Sequence, residues 1–515
     1  MNEEVEKLYK PFRDHLKPVA IENAFYVIWA YINFFQFNAL MPKDIQVIER
    51  VIKNRIFPPG RAVLEWELAL LAREIIVNGQ DDFSKTTQNF NDWNYFAATL
   101  NSLKDFENNS WPTYGDVSKV FKEVRRIAHR QFPWQHHVGT DAFIRYFKIY
   151  NNPRIASIVE SKLGLTVQQW YTAGTAAFGA ITTHAKFNID PNIVIGNMTK
   201  KEFDLFFNFT STDLDNLKKI ISKEVKYDDE FVYTLNPLEY YPFVRIDKYY
   251  YCPVPNFLAW RMTSGIYFDL VGDKKFGHPF GLAFQDYLEE VSAKILDKDR
   301  VSVLPEKKYK TKDGQKDSID LILTQENCAY FVEAKAKRMQ RKSKSQLLSD
   351  EAINKDLDIL ADDIVQAYTT ISDYQKGLYP HLSYKPVVKI YPLLVTLEDW
   401  FLFGTDAENL EKKVTDKLKD KDLPATYLTE MPYTVCSIQD FEIVVQLLNS
   451  LTITELMNNW FAPEKKGHNF GQFILTNYAG RYKSIDDFFP GDFESIYPNS
   501  LMAGHSKTRK QQSSS

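Results

Sequence analysis

Asp317-Ser318-Ile319-Asp320-Leu321-Ile322-Leu323, followed after a short gap by Phe331-Val332-Glu333-Ala334-Lys335, is the stretch that decides the fold. Two apolar runs are each interrupted by charge. In a strand successive side chains alternate between faces, so Glu333 and Lys335 share one face and Val332 and Ala334 the other. The spacing predicts strands over 318–324 and 329–336, joined through Gln325-Glu326-Asn327-Cys328. Pairing Thr324 with Ala329 then sets Asp320 opposite Glu333. Directly opposed positions hold their Cβ atoms about 4.5–5.5 Å apart, and two carboxylates held so close repel unless a cation compensates. Oxygen donors with room left for water and phosphate suit Mg2+, with Mn2+ as a substitute, better than zinc. Lys335 beside such an ion is expected to lose part of its proton affinity and to act on a water aimed at phosphorus.

The surrounding pattern is α/β. Gly281 to Ile295 carries Phe284, Leu288, Val291 and Ile295 on one helical stripe. Residues 359–374 read as a second helix, 387–396 and 433–438 as buried strands, and 441–451 as a further helix. The mixed order implies a central sheet flanked by helices. Residues 1–235 read instead as a mainly helical region that senses, recruits or oligomerises. A hairpin of strands 242–246 and 249–254 is expected to open the second domain, 236–500. The end, 501–515, reads as a disordered basic tail.

Asp320, a spacing of 13 and Glu333-Ala334-Lys335 resemble the core of the PD-(D/E)XK, or restriction-endonuclease-like, nuclease superfamily. The resemblance covers roughly residues 275–450. It implies a helix, a three-stranded meander, a crossover helix and a further strand, with Asp320, Glu333 and the Ala334 carbonyl on the metal and Lys335 on the attacking water. Many members carry a Glu after Phe on the preceding helix. Here Phe284 is followed by Gln285, so Glu289, one turn on, is the expected substitute. Gln366 and Tyr368 match a Gln and Tyr found on the following helix in the family. The basic run Lys337, Arg338, Arg341 and Lys342, with Gln366, is the expected grip on nucleic acid. The implied activity is an Mg2+-dependent endonuclease, DNA being favoured over RNA, in a bacterial or phage-related restriction or antiviral defence setting.

Composition narrows the alternatives. With 63 Lys and Arg against 67 Asp and Glu, the net charge of −4 gives no general positive field, so any anionic ligand is met locally. Neither GxxxxGK[ST] nor GxGxxG occurs, which removes P-loop and Rossmann cofactor readings. Cys252, Cys328 and Cys436 are odd in number and far apart, as expected of buried thiols in a reducing cytoplasm. The apolar stretch 24–40 is broken by Asn33, Gln36 and Asn38 and is expected to be a core or partner-facing helix, not a membrane span. His129, His136 and His137, among Arg125, Arg126 and Arg130, read first as helix-end or surface residues, with a basic binding surface and then a metal site as the functional alternatives. Two other functions compete with catalysis. One is a nuclease-like fold without activity that binds nucleic acid or protein; the other has the aromatic N-terminal half stacking single strands.

Overall fold

The computed structural model describes residues 3–53, 63–109, 117–135, 139–228, 230–312, 314–347 and 349–496. The tail 501–515, the breaks at Pro58-Pro59-Gly60 and Trp111-Pro112, and His136 and His137 lie outside the described residues. The chain divides into two compact units, one of residues 1–113, 130–276 and 489–515, the other of 114–129 and 277–488.

The first unit is built mainly of helices. Ile21–Gln36 is buried on nearly every side, as a helix apolar all round must be. The amide N–H groups of its polar interruptions find partners inside the fold: Asn33 Nδ2 donates to the Trp29 carbonyl at 3.0 Å and Gln36 Nε2 to Glu65 at 2.8 Å. Among the described residues no helix is long and apolar enough to cross a membrane. The aromatic excess of this half is core packing. Tyr9 lies within 4.6–6.0 Å of the rings of Phe12, Phe106, Tyr227 and Phe231.

The hairpin Phe243–Ile246 and Tyr249–Tyr251 forms as expected but does not open the second unit. It pairs with Lys186–Phe187 on one side and Ser211–Asp213 on the other, a four-stranded sheet within the first unit. Val244 and Tyr251 are buried in the same apolar cluster as Leu217 and Phe257, which fixes the hairpin there.

The second unit opens with α1 (Gly277–Ile295), whose buried stripe includes Phe280, Phe284, Leu288, Val291 and Ile295. Then come β1 (Ser302–Pro305), a small hairpin β2 (Lys308–Thr311) and β3 (Gly314–Asp317), β4 (Leu321–Gln325) and β5 (Cys328–Lys335). A crossover helix α2 (Glu351–Gln375) leads to β6 (Lys389–Thr396), then α3 (Thr405–Asp420), β7 (Thr434–Ser437) and α4 (Ile438–Leu447). The five-stranded sheet runs β7-β6-β5-β4-β1, antiparallel from β1 to β5 and parallel from β5 to β7. It is a mixed sheet flanked by helices. One face packs Ile322, Ala329, Phe331 and Leu394 against Leu357, Leu360 and Ile364 of α2. The opposite face buries Leu323, Tyr330, Val332 and Leu393. Burial on both faces explains why these strands read as continuous apolar runs.

Residues 117–129 of the helix Val117–Gln135 also belong to this unit, and here both the surface placement and the alternative of a basic binding surface are overturned for Arg125, Arg126 and His129. Arg125 pairs with Asp406 and Arg126 with Glu123, all four buried. The His129 ring stands edge-on to Phe401 at 4.9 Å, and burial lowers its proton affinity well below the ordinary value. These side chains are internal, not presented to a ligand. Cys252, Cys328 and Cys436 are buried and free, as expected.

Candidate active site

The register that the sequence implies is the register present: Thr324 pairs with Ala329. Gln325 also pairs with Cys328, so the turn tightens to Glu326-Asn327, with Glu326 at φ 52°. The last ladder pair is Leu321 with Val332. Asp320 therefore lies just outside the strand, not within one starting at 318. There its Oδ2 accepts the Ala334 backbone N–H at 2.7 Å. Residues 318–320 are held by β1's continuation: the Glu306 N–H donates to the Asp320 carbonyl at 2.9 Å, and the Lys307 N–H to Ser318 Oγ at 2.9 Å.

Burial raises the proton affinity of Asp320 well above the ordinary carboxylate range, and the charge of Glu333 raises it further. Glu333 is likewise raised, by burial first, although Lys335 opposes the shift. Lys335 Nζ stands 2.8 Å from Glu333 Oε1 and 3.6 Å from Asp363 Oδ1, and donates to Gln366 Oε1 at 3.2 Å. Burial works against its charge, but Glu333 and Asp363 outweigh it and the pKa is raised. The expected loss of proton affinity is thus reversed. In this state Lys335 is a firmly held cation and hydrogen-bond donor rather than a base.

Two carboxylates were not anticipated. Glu306, one residue beyond β1, adds repulsion to both Asp320 and Glu333, and its own pKa is raised, chiefly by burial. Gln285, which stands where the resemblance leads one to expect an acid, donates to Glu306 Oε2 at 3.3 Å. Asp363, buried on α2, lies one turn before Gln366 and takes contacts from both Lys335 and Lys337. Asp362-Asp363 ahead of an apolar helical stripe was the available signal for it; Pro305-Glu306 offered none.

Other expected residues fall elsewhere. Glu289 borders a cavity of about 400 Å³ with Ser292, Leu296, Val303 and Pro305. Lys337 is engaged by Asp363 at 3.1 Å. Arg338, 2.9 Å from Glu398, and Lys344 hold that buried carboxylate down to about 2 against the cost of its burial. They serve as internal counter-ions. Arg341 and Lys342 are exposed at the start of the short helix Arg341–Ser345, and Gln366 is exposed on α2. Tyr368 is core, its hydroxyl donating to the Met431 carbonyl at 2.7 Å.

Among the described residues no group of three or more His, Cys, Asp and Glu is gathered as for a metal ion. The donor set at Asp320, Glu333 and the Ala334 carbonyl nonetheless suits a hard divalent cation. A buried carboxylate, Glu333, and a half-buried one, Asp320, both with raised proton affinity, carry negative charge that Lys335 alone does not balance. No family model, curated protein or solved structure matches this chain.

The raised carboxyl groups have a measurable linkage. Between the ordinary carboxylate pKa of about 4 and the raised folded values, the folded chain binds more protons than the unfolded one, so stability falls as pH rises. In EDTA the unfolding midpoint is expected to drop as pH rises above the ordinary carboxylate range. Asp320→Asn, which keeps an oxygen for the Ala334 N–H, is expected to flatten that drop. Equal slopes for wild type and variant would contradict the coupling.

Proposed function

We propose that the second unit is a divalent-metal-dependent phosphodiesterase, a nuclease of the PD-(D/E)XK kind, acting on DNA in preference to RNA. The observation that carries the reading is the meeting of Asp320, Ala334, Glu333, Lys335 and Gln366 at the end of the β4–β5 hairpin, through contacts of 2.7–3.2 Å. Asp320, Glu333 and the Ala334 carbonyl would hold Mg2+ or Mn2+. When bound, that ion supplies Lewis acidity toward a phosphate oxygen and a water of lowered pKa. Lys335 supplies positive charge and an N–H where the phosphorane's negative charge develops. Gln366 and Asp363 fix the Lys335 ammonium in place, and Arg341 and Lys342 are cations open to backbone phosphates. A restriction or defence setting, with the first unit sensing, recruiting or oligomerising, completes the proposal.

One observation favours a second reading, an inactive binding module. Glu333 is already paired with Lys335, and Gln285 stands where the family keeps an acid. Incubation with linear and circular duplex DNA, single-stranded DNA and RNA, with Mg2+ or EDTA, separates the two. Cleavage that needs Mg2+ and is lost in Asp320→Asn supports the nuclease. Binding without cleavage of any substrate supports the module.

A further inference from the structure

Beyond the carboxyl end of β6 and beside the edge strand β7 lies a cavity of about 380 Å³. Open α/β sheets place ligands at the carboxyl ends of parallel strands, and the volume is in the range of small-molecule sites. Trp400, Tyr433, Trp460 and Phe461 give it aromatic walls. Three polar groups of its lining residues are unanswered by protein. Trp400 Nε1 and Thr434 Oγ1 belong to residues only 3% exposed and have no hydrogen-bond partner. Asp399 Oδ1 accepts the Phe401 N–H at 2.7 Å and Asn469 Nδ2 at 3.0 Å, which leaves Oδ2 to accept another donor. Lys465, Lys466 and His468 border the same space, with Glu411 across from them on α3.

Flat aromatic walls, an acceptor oxygen and a basic rim are the complement of a nucleobase carrying a phosphate. We propose that this cavity binds the base of a nucleotide, stacked on the indole and phenyl rings, with its N–H edge on Asp399 and its phosphate toward Lys465 and Lys466. The base comes from one of two sources, a free mononucleotide or an unpaired nucleotide of a strand. Thr396, which lines the cavity, is the ladder partner of Lys335, so the site is one strand away from the candidate active site. A carboxylate held in this cavity is costly without a donor. Burial, and then the charge of Asp440, lift Asp399 to about 7.

The proposal goes beyond the nuclease reading and is tested without it, by calorimetry on the full chain in EDTA. The probes are AMP, GMP, CMP and UMP, a short single-stranded oligonucleotide, and ribose 5-phosphate as control. At least one nucleotide or the oligonucleotide is expected to bind, with ribose 5-phosphate far weaker. Trp460→Ala is expected to weaken binding roughly ten- to hundredfold, as loss of one stacking face does. Asp399→Asn and the exposed Lys466→Ala are each expected to weaken it several-fold, and Lys466→Ala cannot do so by unfolding the core. Mononucleotide binding identifies a free effector; binding of the oligonucleotide alone identifies a base of a bound strand. No binding by any probe overturns the proposal, as does equal binding of ribose 5-phosphate or affinity unchanged in Trp460→Ala and Lys466→Ala.

Discussion

Lys335→Ala is expected to lower Mg2+-dependent cleavage by about 10²–10³-fold, the range for losing a positioned charge and hydrogen-bond donor where negative charge develops. The argument rests on where Nζ is held. It lies 2.8 Å from Glu333 and 3.2 Å from Gln366, with Asp363 at 3.6 Å on the far side. An ammonium fixed between strand and helix loses no orientation when a substrate arrives. Because Lys335 also occupies Glu333, its removal frees that carboxylate, so metal affinity is expected to hold or to tighten while kcat falls. Lys335→Arg keeps the charge but presents a planar fork in place of a point charge, and is expected to recover little activity. Full rescue by Arg, or loss of metal binding in Lys335→Ala, would mark the lysine as a structural counter-ion.

Asp406→Ala has the largest expected effect on stability, about 3–5 kcal/mol, the cost of leaving one member of a buried ion pair alone. Arg125 and Asp406 have side chains 1% and 5% exposed. The pair is no strong source of stability in itself. Burial raises the Asp406 pKa despite the adjacent guanidinium, so desolvation already offsets much of the attraction. What destabilises is the asymmetry of single removal. The double variant Arg125→Met, Asp406→Leu is therefore expected to lose much less than Asp406→Ala in denaturant melts of the second unit. A double variant as unstable as the single would contradict this account.

Much of the hairpin was legible in the sequence. Two-residue alternation and one turn fix which strand positions face each other, so the pairing of Thr324 with Ala329 and the shared face of Glu333 and Lys335 follow from spacing alone. The rest depends on partners distant in the chain. Ser302–Pro305 is a four-residue edge strand ending in proline, too short for its alternation to stand out, and without it Glu306 has no visible route to Asp320. Arg338 and Lys344 read as a charged run because their counter-ion, Glu398, comes more than fifty positions later. The hairpin expected over 242–254 was visible, but a local pairing does not reveal that its outer neighbours are Lys186–Phe187 and Ser211–Asp213.

The most direct test of the central claim is the rate at which circular duplex DNA is cut in Mg2+ by the wild type beside Glu333→Gln, a change that keeps the side chain's size and removes its charge. The account predicts cleavage by the wild type that EDTA abolishes, and a loss of at least about a hundredfold in Glu333→Gln. Cleavage at equal rates by both proteins, or cleavage by the wild type that persists in EDTA, would contradict it.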